Sequence, residues 1–229
     1  MTGKETEQDL SVTQEQDISQ EEISFKTIIL GDPGVGKSCL SLKAIKNVFE
    51  DCYNSTVGFE FLTYYTKVDN INIKLQIWDT CGQEAYKSLI KSFYRNSALA
   101  IVVYSIDSNE SFKHLDEWIN DIKRESNPDV KIVLIGNKAD KEQEREVQKE
   151  MGEKFSKDNK VNFFMETSAK TGFNVNKLFD DAARLLYEES KKLKEKAVQN
   201  NAIPISNTSE FSDAESEKGK GKCNCKKCC

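Results

Sequence analysis

No apolar run in this 229-residue sequence approaches the ~20 residues that a bilayer-spanning helix needs, so no such helix is expected. Nor is there a basic stripe of the kind that tracks a nucleic-acid backbone. The formal net charge of −5 and a pI of about 5.2 argue against nucleic acid as a partner. The amino-terminal stretch is acidic and polar, without the apolar segment of a secretion signal, and the expectation is a protein kept in the cytoplasm. Histidine occurs once, at His114, in a helical pattern with no cysteine or acidic cluster that suggests a metal, so a solvated or packed role is expected. Cysteine occurs seven times, but Cys39, Cys52 and Cys81 are scattered while Cys223, Cys225, Cys228 and Cys229 crowd the carboxyl terminus. A disulfide framework is not expected from that distribution in a reducing compartment.

What is present is an alternation of short β-branched runs and longer amphipathic stretches. Residues 1–23 are rich in Glu, Gln, Asp, Ser and Thr and bury too little to offset ordering entropy, so they read as a disordered arm. Strands are expected at 25–30, 99–104, 131–135 and 162–165, and helices at 37–48, 108–125, 142–158 and 174–196. The runs 59–68 and 71–78 are joined only by Asp69 and Asn70, which implies an antiparallel hairpin. The fold class is therefore α/β: a six-stranded, mostly parallel sheet with one antiparallel edge strand and helices on both faces. One domain spans 24–197, and a polar linker, 198–229, ends in lysines and cysteines.

Gly31-Asp32-Pro33-Gly34-Val35-Gly36-Lys37-Ser38 fits G-x-x-x-x-G-K-[ST] between an expected strand and an expected helix. Glycines there let backbone N–H groups converge on phosphates, Lys37 neutralises them, and the Ser38 hydroxyl suits Mg²⁺. Asp79-Thr80-Cys81-Gly82-Gln83 follows a strand and brings a carboxylate to the ligand-binding edge of the sheet. Taken alone it is equally a plain turn. Asn137-Lys138-Ala139-Asp140 points to guanine, because the Asp140 carboxylate can accept from N1–H and the exocyclic amine together. Adenine would leave one acceptor facing another, at a cost of roughly 1–3 kcal/mol. A surface turn rich in Asn and Asp is the plainer alternative. Glu166-Thr167-Ser168-Ala169-Lys170 follows the last strand, where a small residue admits a backbone N–H to the guanine O6.

With these motifs in order, the stretch from about 25 to 196 resembles a small GTPase of the Ras superfamily, and specifically a Rab protein. The resemblance adds Val57-Gly58-Phe59-Glu60-Phe61, the run 74–80, Phe93-Tyr94-Arg95 and the cysteine-ended tail. It implies a GTP/GDP switch with a P-loop GTPase fold, hydrolysing GTP with Mg²⁺ and recruiting effectors to membranes in vesicle traffic. By the same resemblance Gln83 is the catalytic residue, and Ser38, Thr56 and Asp79 serve Mg²⁺. Cys39, Phe49, Tyr53, Gly82, Ser168, Ala169 and Lys170 join the phosphate and base motifs around the nucleotide, and Phe61, Trp78 and Tyr94 meet effectors. Implied partners are an exchange factor, an activating protein, effectors, and the machinery that prenylates and extracts the protein. Cys228 and Cys229 match the lipidated terminus of the family, with neighbouring lysines facing anionic lipid; a soft-metal site is the alternative for the four terminal thiols.

Three positions depart from the family pattern. Pro33 fixes φ and removes an N–H beside the γ-phosphate, which bears on the hydrolysis rate, Cys81 stands where alanine is usual, and Ser105 replaces a usual aspartate. A GTP-binding scaffold with little hydrolysis is the alternative reading, and a P-loop ATPase or kinase a more distant one.

Overall fold

The computed structural model describes residues 22–49, 59–80 and 93–200, with side chains to residue 196. The chain groups into two compact units, 1–192 and 193–229; the sheet belongs to the first, and of the second only helical residues 193–200 are described.

Six strands form one sheet: β1 (Glu22–Leu30), β2 (Phe59–Val68), β3 (Ile71–Thr80), β4 (Leu99–Ser105), β5 (Lys131–Asn137) and β6 (Phe163–Glu166). Their spatial order is β2-β3-β1-β4-β5-β6, with β2 antiparallel to β3 and every other pair parallel. The hairpin turns at Asp69 and Asn70, both with positive φ (49° and 66°), which matches the right-handed twist of the strands it joins. β4 is buried along its whole length, as expected of a strand covered on both faces. β1 starts three residues earlier than the apolar run suggests because Glu22, Ile23 and Ser24 pair with Asn72, Ile73 and Lys74 of β3.

Among the described residues there are five α-helices: α1 (Lys37–Lys46), α2 (Asn109–Lys113), α3 (Leu115–Glu125), α4 (Lys149–Asp158) and α5 (Val175–Asn200). Alternate residues of β1 feed opposite cores. Ile29 joins Leu40, Ile77, Val103, Leu178 and Phe179 on one face, while Ile28 and Leu30 join Tyr104, Leu115, Trp118 and Ile122 on the other. Each such side chain, fully withdrawn from water, contributes about 1.5–3 kcal/mol.

Two expected helices are broken. The pattern over 108–125 is divided at His114, whose carbonyl accepts from both Glu117 N–H and Trp118 N–H, a tightening that apolar periodicity does not encode. The expected helix over 142–158 survives only as a 3₁₀ turn, Glu142–Glu144, and α4. Between them the backbone is pulled onto the sheet, since the Ile106 carbonyl accepts from Glu146 N–H and Val147 N–H and the Val147 side chain is buried.

Candidate functional site

The loop between β1 and α1 lies at the carboxyl edge of the central strand. Gly31 has φ 137°, and a Cβ there would stand 2.1 Å from the Val103 carbonyl oxygen; at Gly36, with φ 96°, it would stand 2.3 Å from Asn137 Nδ2. No side chain fits at either position without displacing neighbouring groups. The Lys37 ammonium folds back over the loop and donates to the Gly31 and Asp32 carbonyls, at 2.8 Å each. It is buried there, a positive charge enclosed by a glycine-rich turn and suited to an anionic ligand.

Asp79, near the end of β3, is fully buried, and neither carboxylate oxygen has a hydrogen bond of ordinary geometry among the described residues. Burial pushes its pKa up to about 6 against the pull of the Ser38 hydroxyl and the Lys37 ammonium, and Glu60 across the β2–β3 pair adds to the rise. A buried carboxylate beside a serine hydroxyl and short of partners is the oxygen donor set that Mg²⁺ takes, so the residues present fit that ion.

Asn137 holds three loops together. Its Nδ2 donates to the Val35 carbonyl at 2.8 Å, and its Oδ1 accepts from Thr167 Oγ1 at 3.2 Å and from Ala169 N–H at 3.3 Å. The phosphate loop, the Asn137–Asp140 segment and the Glu166–Lys170 segment are thus braced by one buried amide. Ser168 Oγ donates to Asp140 Oδ1 at 2.5 Å and so orients the carboxylate assigned to guanine. Further links are Ala139 N–H to the Thr167 carbonyl and Thr167 N–H to the Gly136 carbonyl, both at 2.9 Å. Lys170 is exposed.

Several residues that support these loops carry no motif. Arg145 grips both oxygens of Glu166, at 2.7 and 3.0 Å, with both side chains largely buried. Asp107 takes Lys141 at 2.8 Å and Lys138 at 3.5 Å. The Ser105 hydroxyl donates to Asp107, so the serine at the family's aspartate position works by anchoring a carboxylate two residues on. Asp32 is hydrogen-bonded from outside the loop by His114 and Trp118. Charge and spacing give no signal for any of these, because each depends on tertiary placement; the single histidine is partly solvated, as expected, and is also hydrogen-bonded to Asp32. A cavity of about 730 Å³ opens between the phosphate loop and the start of α3, lined by Asp32, Pro33, Gly34, Asp107, His114 and Trp118.

Cys39 and Phe49 are partly buried against the core that contains Leu40 and Phe179. Of the three aromatics assigned to effectors, Phe61 is 48% exposed and Trp78 partly so, but Tyr94 is 1% exposed and packs in the opposite core. Tyr94 is therefore a packing residue in this structure, and its place beside Trp78 is taken by Phe93 and the exposed Phe59. Ring centroids lie 5.6 Å apart for Phe59 and Trp78, 5.3 Å for Phe61 and Trp78, and 5.0 Å for Trp78 and Phe93. Tyr53, Thr56, Gly82, Gln83, Cys228 and Cys229 lie outside the described residues.

A family model described as the Ras family matches residues 26–188, more than half of the chain and all six strands from the second half of β1 onward. The match covers the phosphate loop, Asp79, Asp140 and the Asn137 brace, and the chain belongs to the Ras family, whose members are small GTP-binding switches that hydrolyse GTP.

Proposed function

We propose that this protein is a Rab-type GTPase that cycles between GTP and GDP and, in its GTP form, recruits effectors to an endomembrane during vesicle traffic. The observation that carries the Rab assignment is the pair of exposed rings, Phe59 and Phe61, on the hairpin beside the partly buried Trp78, continuous with the sequence that resembles Rab proteins. Aromatic rings on a strand usually belong to a core. Here two of them face solvent at about half exposure, the signature of a surface kept for a partner.

In this reading Lys37 neutralises the phosphates, Asp140 selects guanine, and Ser38, Thr56 and Asp79 hold Mg²⁺. When bound, the ion neutralises charge developing on the phosphate oxygens. Gln83 orients the attacking water. Catalysis is mostly positioning, and with no internal arginine assigned to the transition state, intrinsic turnover is slow and depends on an activating protein. Pro33 favours a second reading in which hydrolysis is slower still and the protein acts mainly as a GTP-dependent scaffold. Lipid on Cys228 and Cys229, with nearby lysines, would hold the protein on an anionic cytosolic leaflet.

Single-turnover GTP hydrolysis by the full chain with Mg²⁺, compared with the Gln83→Leu variant, tests the enzymatic part. Measurable wild-type turnover that the variant loses supports it; equal, negligible rates favour the scaffold. Mass spectrometry of the protein from its own cells tests the tether, which fails if Cys228 and Cys229 are unmodified.

A further inference from the structure

Asp32 is the second residue of the phosphate loop, and its carboxylate is held from outside that loop. One oxygen lies 2.6 Å from His114 Nδ1, and the other accepts from Trp118 Nε1 at 2.9 Å. Both partners come from the junction of α2 and α3, where the His114 carbonyl accepts from Trp118 N–H and sets the two side chains one turn apart on the face that meets the loop. Trp118 does not titrate and fixes the distance. His114 is more than a third exposed and exchanges protons with solvent. Asp32 in turn reaches the ligand side of the loop through its carbonyl, which accepts from Lys37 Nζ.

We propose that His114 is a positioning residue that acts through Asp32 on the phosphate loop, gripping it more firmly as imidazolium than as neutral imidazole, and so couples nucleotide release to pH. The proposal rests on nucleotide binding at residues 31–38. Two effects act in the same direction. A carboxylate in the loop that cradles a polyphosphate repels it, and an imidazolium cancels that charge. The same ion pair holds the Asp32 backbone, and with it the carbonyl that Lys37 uses.

Among the described residues, the other charged groups facing this space are Asp107 just beyond β4, Glu110 on α2, Glu117 and Asp121 on α3, and Lys138 beyond β5. The hydrogen bond to Asp32 raises the His114 pKa most; burial opposes it, and the charges of Asp32, Glu117 and Glu110 add to the rise. With a folded pKa above the ordinary histidine value, the ionic part of the grip is complete below that value and fades as pH rises through the folded one. Release is slowest in acid and fastest in mild alkali.

Because the chain has a single histidine, the test can be read in the whole protein, prepared without a histidine tag. Loaded with fluorescent GDP and Mg²⁺, wild type should release nucleotide about two- to fivefold faster near pH 8 than near pH 6, after division by the profile of the His114→Asn variant. Its imidazole proton resonance should titrate above the ordinary histidine midpoint and move down in the Asp32→Asn variant. His114→Gln replaces the asparagine variant if that protein fails to fold. Parallel release profiles for wild type and variant, or a midpoint that ignores Asp32→Asn, would overturn the coupling alone. A wild type that takes up no GDP would overturn the nucleotide reading beneath it.

Discussion

At the scale of single residues, the site depends as much on braces as on ligand contacts. Asn137 reads from the sequence as part of a guanine motif, and the structure adds that its side chain ties Val35, Thr167 and Ala169 together. Asn137→Ala should therefore lower stability by about 1–3 kcal/mol in urea unfolding, since it leaves buried groups unpaired. GDP affinity should fall with it, in competition binding. Asp79→Asn should act on the ion instead. It should weaken the Mg²⁺ dependence of GDP release by about tenfold or more, measured by titrating Mg²⁺ against the release rate, because a neutral amide replaces a charged oxygen donor. The placement of Lys37, Ser38, Asp79 and Asp140 in loops at one edge of the sheet is legible, because local order along the chain carries it. The roles of Arg145, Asp107 and His114 were not, because a salt bridge or buried hydrogen bond between distant segments leaves no trace in spacing.

At the scale of elements, the hairpin was plain from two strand-like runs and a two-residue joint, and positive φ at Asp69 and Asn70 gives the geometric reason. The hairpin is also anchored by side chains. Tyr64 and Thr66 on β2 both donate to Asp180 Oδ1 on α5, at 3.0 and 2.8 Å, and Asp69 pairs with Lys191 at 3.0 Å. Phe61 lies on the other face of β2, about half exposed beside Trp78, so Phe61→Ala should abolish binding of a GTP-dependent effector in a pull-down while shifting the thermal midpoint little. A matched loss of stability would mark Phe61 as packing. The two broken helices were misread for a common reason: hydrophobic period reports which face is buried, not whether the backbone stays helical between contacts. Arg145 sits in the extended stretch so formed, and Glu166→Ala should cost about 1–3 kcal/mol in urea unfolding, because it removes the buried one of two carboxylates on a guanidinium that Glu142 still holds.

At the scale of the whole molecule, β1 is the inner strand on which the sheet is assembled, paired with β3 on one side and β4 on the other. The order of strands was not legible in the sequence, since apolar runs of similar character compete for the same neighbours; the α/β class and the antiparallel edge were. A fully buried side chain at the junction of sheet and α5, such as Phe179, should be costly to truncate: Phe179→Ala should lose about 3–5 kcal/mol in denaturant unfolding. Saturating GDP, at about a hundred times its dissociation constant, should add about 2.7 kcal/mol to wild type. The Asn137 brace also bears on biosynthesis. Its bond to Val35 spans 102 residues, and its bond to Ala169 reaches into the last third of the chain. A nascent polypeptide that has exposed only its phosphate loop holds half a receptor, so guanine nucleotide can act only as a late inspector of the finished domain.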